Sequence, residues 1–342
     1  MSRIYLDWNA SAPLAPAARR AFDAWLDRPG NSFSAHGEGR AAGAAVDHAR
    51  VQVAALAGCP RDAVIFTSGA TEANATVLGR GRWATSAVEH PSVRAWSSAD
   101  LPVDADGRVD LARLPNLEGF TGMSVMAANN ETGVIQPIEE LRRHARASGL
   151  LLHVDASQAP GRMPIPEADL VTLSAHKMGG PQGVGALVVR SGLRIEPLLR
   201  GGPQERGRRA GTSNVAGIVA FGAAAAAIEP VAADLRNHLE AALVALGGRV
   251  AGAGAPRIPN TCAVAFDGVE AEDLVIALDL RGIAVSAGSA CASGSPERSH
   301  VLWAMGFEGS AVRFSLGPST TAAEVDTAIR AVGDVLRAIL GP

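Results

Sequence analysis

Short apolar runs alternate with longer stretches of helical periodicity along most of this chain. The pattern predicts βα units and a largely parallel sheet covered on both faces, an α/β fold. Strands are expected at Ala63–Thr67, Ser124–Ala128, Leu150–Val154, Leu170–Leu173 and Val184–Val189. Several are continuous apolar runs, as strands buried on both sides should be. Between them, Pro137–Ala147 sets Ile138, Leu141 and Ala145 at helical spacing. A long Ala-rich helix over Ala216–Glu240, interrupted near Pro230, separates this part from Thr261–Phe266, Ala271–Leu280, Ala311–Leu316 and Ala322–Leu340. A domain boundary near residue 230, borne on that helix, is the expectation.

Composition narrows the class. At 342 residues, 47% hydrophobic and 19% charged, the chain can bury a sizeable core and is not a disordered polymer. Net charge is −3 and no stripe of Lys and Arg forms, so nucleic acid is not an expected partner. The longest uncharged apolar run, Val215–Ile228, is too short to cross a bilayer, and no signal-peptide core forms at the start. The expectation is a cytoplasmic protein without a membrane partner. Abundant Ala and a single Tyr point to close helix packing through small side chains.

The loops after strands are where an open α/β sheet binds ligands. Thr67-Ser68-Gly69-Ala70-Thr71-Glu72-Ala73-Asn74 is a small-residue turn entering a helix, able to hold a phosphate, or else an ordinary helix start capped by Ser68 or Thr71. Asp155 stands at the end of an apolar strand, and Lys177 in a small-residue turn directly after another. A phosphate cradle, a carboxylate for a pyridinium nitrogen and an amine for a Schiff base together fit pyridoxal 5′-phosphate. His90, in Val88-Glu89-His90-Pro91, could stack on the ring. Arg313 sits in an apolar strand, where a guanidinium needs a carboxylate, either a substrate's or a neighbouring Asp. Of three unpaired cysteines, Cys262 and Cys59 have packed apolar surroundings, whereas Cys291 lies in a run of nine small residues and is the reactive candidate.

These blocks, in this order, resemble the cysteine desulfurases of the class V aminotransferase family. The resemblance runs from Tyr5-Leu6-Asp7 and Gly30-Asn31-Ser32 through the Thr71 turn, Asn129-Asn130-Glu131-Thr132-Gly133, His153–Gln158, Ser174–Lys177 and Glu205–Thr212, to the Cys291 loop and Arg313–Gly317. It implies a fold type I pyridoxal-phosphate enzyme, with a large cofactor domain over 14–230 and a small α/β domain over 231–342 completed by residues 1–13. It also implies a homodimer. Carried over by position, Lys177 is the Schiff-base lysine, Asp155 the ring-nitrogen partner, Gln158 the partner of the phenolic oxygen, and His90 stacks on the ring and assists proton transfer. Ala70, Thr71, Ser174 and His176 contact the phosphate, with Thr212 reaching in from the other subunit. Asn31, Asn130 and Arg313 hold the substrate carboxylate, and Cys291 accepts sulfur from L-cysteine as a persulfide, passing it to an acceptor or scaffold protein. Asn130 also belongs to the cofactor set. No metal site of protein alone is implied, Cys291 being the one candidate for a transient iron–sulfur ligand. Departures from the family pattern are Ala287, Ala292, Pro203 and Gln204. Rival activities on the same fold are a selenocysteine lyase, a C–S lyase or an aminotransferase; a catalytically silent scaffold is the rival outside enzymes.

Overall fold

The computed structural model describes residues 3–190, 192–288 and 299–341. The chain opens with a two-residue strand, β1 (Ile4–Tyr5), and two helices, α1 (Pro16–Leu26) and α2 (Gly37–Leu56). The strands β2 (Val64–Thr67), β3 (Trp83–Ser86), β4 (Ser97–Leu101), β5 (Gly122–Met126), β6 (Leu151–Asp155), β7 (Leu170–Ser174) and β8 (Gly185–Val189) then build a seven-stranded sheet. Its spatial order is β2-β8-β7-β6-β5-β3-β4. Neighbours from β4 to β7 are parallel, and β8 alone runs against both of its neighbours. The carboxyl ends of β2, β3, β5, β6 and β7 therefore share one edge.

The five strands foreseen from apolar runs all exist, shifted by one or two residues at their ends. Every residue of β5, β7 and β8 is buried. That is the physical reason they read as unbroken apolar runs. The short strands β3 and β4, which carry Thr85, Ser86 and the exposed Ser98, gave no such run.

Helices α3 (Ala70–Leu78), α4 (Pro91–Arg94) and α5 (Ile138–Ala147) follow strands of this sheet. On α5, Ile138, Leu141 and Ala145 are the buried face. The Ala-rich stretch divides into α6 (Val215–Ala226) and α7 (Asp234–Ala245), so the single interrupted helix is really two, with residues 227–233 non-helical around Pro230. Helix α6 packs against α1 and α2. A Cβ on Gly222 would lie 2.6 Å from the Ala49 Cα, so the helix backbones approach closely, as the Ala-rich composition implied.

The remaining strands are β9 (Arg249–Val250), β10 (Thr261–Ala265), β11 (Ile283–Ala284), β12 (Ser286–Ala287) and β13 (Val312–Ser315). They form a four-stranded sheet β12-β13-β10-β9 and a β1-β11 pair. Helices α8 (Ala271–Asp279) and α10 (Ala322–Leu340) cover it, with the short α9 (His300–Ala304) between them. Thr321 and Glu324 close a reciprocal capping box on α10. Leu6 is fully buried in this second core with Leu239, Cys262, Phe314 and Val332, so the amino-terminal strand packs among carboxyl-terminal elements. No described helix is long and apolar enough to cross a membrane.

Candidate active site

Four loops at the shared edge of the large sheet bring most of the sequence candidates together. The first follows β2. Helix α3 follows Gly69, whose φ of +156° suits glycine, and no side chain caps the helix. Neither Ser68 nor Thr71 serves as the cap, which corrects that part of the sequence reading. Glu72 reaches back to Ser68 N at 2.8 Å and is itself paired with Arg209 at 2.8 and 3.1 Å. The acid of the first turn is thus neutralised, leaving the amides at Ala70 and Thr71 and the positive helix end to face an anion. Gly185 explains how the turn comes so close to the sheet: a Cβ there would stand 2.8 Å from the Gly69 Cα.

The second group lies at the ends of β6 and β7. Asp155 is 6% exposed and ends β6. Its Oδ1 accepts from Ser157 N at 3.0 Å and its Oδ2 from Asn74 Nδ2 at 2.9 Å. Ser174, buried, ends β7, and Ala175–Lys177 form a single 3-10 turn after it. Lys177 Nζ donates to the carbonyls of Asn9 at 2.7 Å and Ala10 at 2.9 Å. Burial, helped by the Arg313 and Arg162 guanidiniums, pushes its ammonium down to about 8. Burial likewise pushes His176 down to about 4, with Lys177 adding to the shift, and His176 Nδ1 sits 3.3 Å from Ser11 Oγ.

Gln158 Nε2 donates to the same Asn9 carbonyl at 3.1 Å, while Arg162 donates to Gln158 Oε1 and, at 3.2 Å, to the Lys177 carbonyl. Asn9 and Arg162 therefore organise the cluster, and both escaped the sequence reading. Asn9 comes from a chain end far away in sequence, and Arg162 from a loop with no patterned neighbours.

After β3, His90 caps α4 through Nδ1, which accepts from Ser92 N at 3.1 Å. Desolvation, opposed by Asp155 and assisted by Lys177 and His300, lowers its imidazole below the ordinary value. The preceding Glu89 is fully buried; burial pushes it up to about 8, with Ser86 and Met126 N donating to Oε1. A carboxyl this deep is held protonated over much of the neutral range.

Arg313 on β13 is 6% exposed and donates to Asp7 Oδ1 at 2.6 Å and to the Asn130 carbonyl at 3.0 Å. The carboxylate that this strand arginine required is a neighbouring Asp. Asn130 thereby meets both Arg313 and Asn9, whose Nδ2 donates to the same carbonyl at 3.1 Å.

Among the described residues, Asn31 and Thr212 are linked only through their sequence neighbours. Asn31 Oδ1 accepts from Phe33 N at 3.0 Å, and the adjacent Ser32 Oγ lies 3.2 Å from Ser213 Oγ. Gln204, one of the departures, accepts from Gly211 N at 3.1 Å, and Ala287 pairs with Val312 inside the small sheet. Cys291 and Ala292 lie outside the described residues. A cavity of about 570 Å³ lined by Cys59, Arg142, Arg146 and Arg190 opens at the opposite edge of β6 and β7 and contains none of the candidates. Among the described residues there is no cluster of His, Cys, Asp and Glu able to hold a metal ion.

Residues 4–327 match the family model for aminotransferase class-V. The chain belongs to that family. Among class-V relatives, a cysteine desulfurase from Cereibacter sphaeroides is 43% identical, with 99% of this chain and 98% of the relative covered. The cysteine desulfurase NifS of Azotobacter vinelandii is 39% identical, covering 98% of this chain and 93% of its own. Among solved structures, a NifS-like protein superposes with a TM-score of 0.87 at 32% identity, covering 98% of this chain and 99% of the other. SspA, solved in complex with cysteine, gives a TM-score of 0.81 at 27% identity over 93% of this chain and all of SspA.

Proposed function

We propose that this chain is a pyridoxal 5′-phosphate-dependent cysteine desulfurase, converting L-cysteine to L-alanine and taking the sulfur onto Cys291 as a persulfide. The observation that carries the reading is the meeting of Lys177, Asp155 and an uncapped α3 at one sheet edge, in a chain of this family. The donor set fits the cofactor. A helix start without a cap suits its phosphate, a buried carboxylate its cationic ring nitrogen, and an amine of depressed basicity its aldehyde carbon. Ala70, Thr71, Ser174 and His176 would hold the phosphate, Asp155 the ring nitrogen, Gln158 the phenolic oxygen, and Lys177 the aldehyde carbon, with His90 stacked on the ring. Asn130 stands beside both this set and the substrate, and Arg313 and Asn31 complete the substrate carboxylate site. When bound, the cofactor supplies an electron sink for the carbanion at the substrate's α-carbon.

The protein's residues do the rest. Lys177, at about 8, is close enough to neutrality to shed its proton and then take the one from the substrate α-carbon. Asp155 stays fixed by Asn74 and Ser157 while charge develops. The Cys291 thiolate attacks the substrate sulfur: a sulfur–sulfur bond forms, the Cβ–S bond breaks, and its electron pair stays on carbon, which is protonated. L-Cysteine and a thiol thus become L-alanine and a persulfide, without any outside oxidant.

We read the chain as a large domain over 14–230 and a small one over 231–342 completed by 1–13. In a homodimer Thr212 would serve the second copy's phosphate, and an acceptor or scaffold protein would collect the sulfur. The deciding experiment measures alanine released from L-cysteine, with a thiol reductant, by the cofactor-loaded protein and by Cys291→Ala. Release by the first alone supports the desulfurase; release by both removes the persulfide step, and release by neither removes the substrate.

A further inference from the structure

His90 and Asp155 are joined by an unbroken hydrogen-bonded chain through the side chains of Asn74 and Ser92. Asn74 is fully buried on α3, and its Nδ2 donates to Asp155 Oδ2 at 2.9 Å and to Ser92 Oγ at 3.0 Å. Ser92 Oγ in turn lies 2.8 Å from His90 Nδ1, the atom that also receives Ser92 N at 3.1 Å.

The direction of each bond follows from chemistry. An ionised carboxylate only accepts, so Asp155 dictates which end of the Asn74 amide faces it. The amide's other end, Oδ1, is buried with no hydrogen-bond partner among the described residues. Turning the amide over would set that oxygen against the carboxylate, so the orphaned oxygen is the cost of the arrangement. Because Nδ2 donates to Ser92 Oγ, the Ser92 hydrogen is left to point at His90. A backbone N–H can only donate, so His90 Nδ1 faces two donors and must be a bare acceptor.

We infer that Asn74 and Ser92 are positioning residues which, oriented by the Asp155 carboxylate, hold the His90 proton on Nε2. His90 then offers one defined N–H, on the side of the ring away from α4, for proton transfer to or from substrate. The inference rests on the functional reading above for what His90 does, but the tautomer itself does not depend on it. The charged or titratable groups that act on His90 are Asp155, Lys177 and His300, from the ends of β6 and β7 and from α9. His300 Nε2 binds the Glu89 carbonyl at 2.8 Å, which steadies the segment before His90 and leaves Nδ1 to Ser92.

The test is long-range ¹H–¹⁵N correlation on histidine-labelled protein, cofactor-free and cofactor-loaded, with His90 assigned by its loss in His90→Gln. Wild type should show the Nε2–H tautomer near pH 8 in both forms. Ser92→Ala should raise the His90 titration midpoint and lower kcat several-fold at unchanged KM; Ser92→Thr, which restores a hydroxyl, should recover both. Asn74→Ala should move the His90 midpoint in the same direction as Ser92→Ala. An Nδ1–H tautomer in wild type, or a His90 midpoint unmoved in Ser92→Ala, overturns the inference. Absence of alanine release with the tautomer as expected would instead count against the desulfurase reading.

Discussion

Arg313 Nη2 lies 2.6 Å from Asp7 Oδ1, joining the middle of a carboxyl-terminal strand to the first residues of the chain. The pair is nearly sealed from solvent, and Arg313 Nε has no hydrogen-bond partner among the described residues. The arginine proposed to hold the substrate carboxylate is thus already neutralised by a protein carboxylate.

Asp7→Asn should therefore separate stability from binding. Removing one partner of a buried pair leaves the other charge uncompensated, at a cost of about 3 kcal/mol. The freed guanidinium should grip a substrate carboxylate more tightly, lowering KM for L-cysteine several-fold. Urea unfolding and steady-state kinetics check both halves; an unchanged KM would remove Arg313 from the substrate site.

Lys177 gives a pH signature. Burial, with Arg313 and Arg162 nearby, holds the folded-state value at about 8 against 10.5 in the free side chain. Between those values the unfolded chain binds more protons than the folded one, so stability rises with pH across that window. In cofactor-free protein, chemical denaturation at pH 7.5 and pH 10 should show a rise for wild type that exceeds the rise for Lys177→Met. Equal slopes would mean that the amine is not desolvated.

Gly185→Ala tests the close approach of the α3 turn to the sheet. The new Cβ would meet the Leu173 carbonyl oxygen at 2.7 Å and the Gly69 Cα at 2.8 Å, and backbone cannot swing aside as a flexible side chain does. Overpacking of this kind costs about 1–3 kcal/mol. Cofactor affinity, followed by absorbance titration, should fall as the turn is pushed from the sheet. Unaltered affinity would dissociate that turn from the phosphate.

Glu205 stands at φ +48°, takes Arg50 in two bonds of 2.6 and 2.8 Å, and accepts from Phe66 N at 3.1 Å. Glu205→Gln should lower stability by about 3 kcal/mol, because a buried guanidinium loses its counter-charge. The exposed pair Arg142–Glu139 is the contrast, and Glu139→Gln should leave the urea midpoint unmoved. Equal effects of the two substitutions would mean that burial does not decide the strength of these pairs.

Much of the molecule was legible in one dimension. Strands buried on both faces are mostly apolar, so β2 and β5 to β8 were visible as runs, whereas the equally buried β3, with Thr85 and Ser86, was not; the alternation with helices set the α/β class. Asp155, Lys177 and the Thr71 turn stood out because polar residues directly after such strands occupy the ligand-binding edge of the sheet. What the chain could not display was which distant groups would meet them. Asn9 and Asp7 reach the site only because the amino-terminal strand packs among carboxyl-terminal elements; Arg162 matters only through the Gln158 and Lys177 oxygens the fold brings to it, and Glu89 only once burial has raised its proton affinity. The partner of Arg313 was undecided between substrate and protein until the fold brought Asp7 to it. Residue types and spacing determine local conformation and mark where chemistry can occur. Hydrogen-bond direction, desolvation and the pairing of charges are relations between segments far apart in sequence, and only tertiary structure decides them.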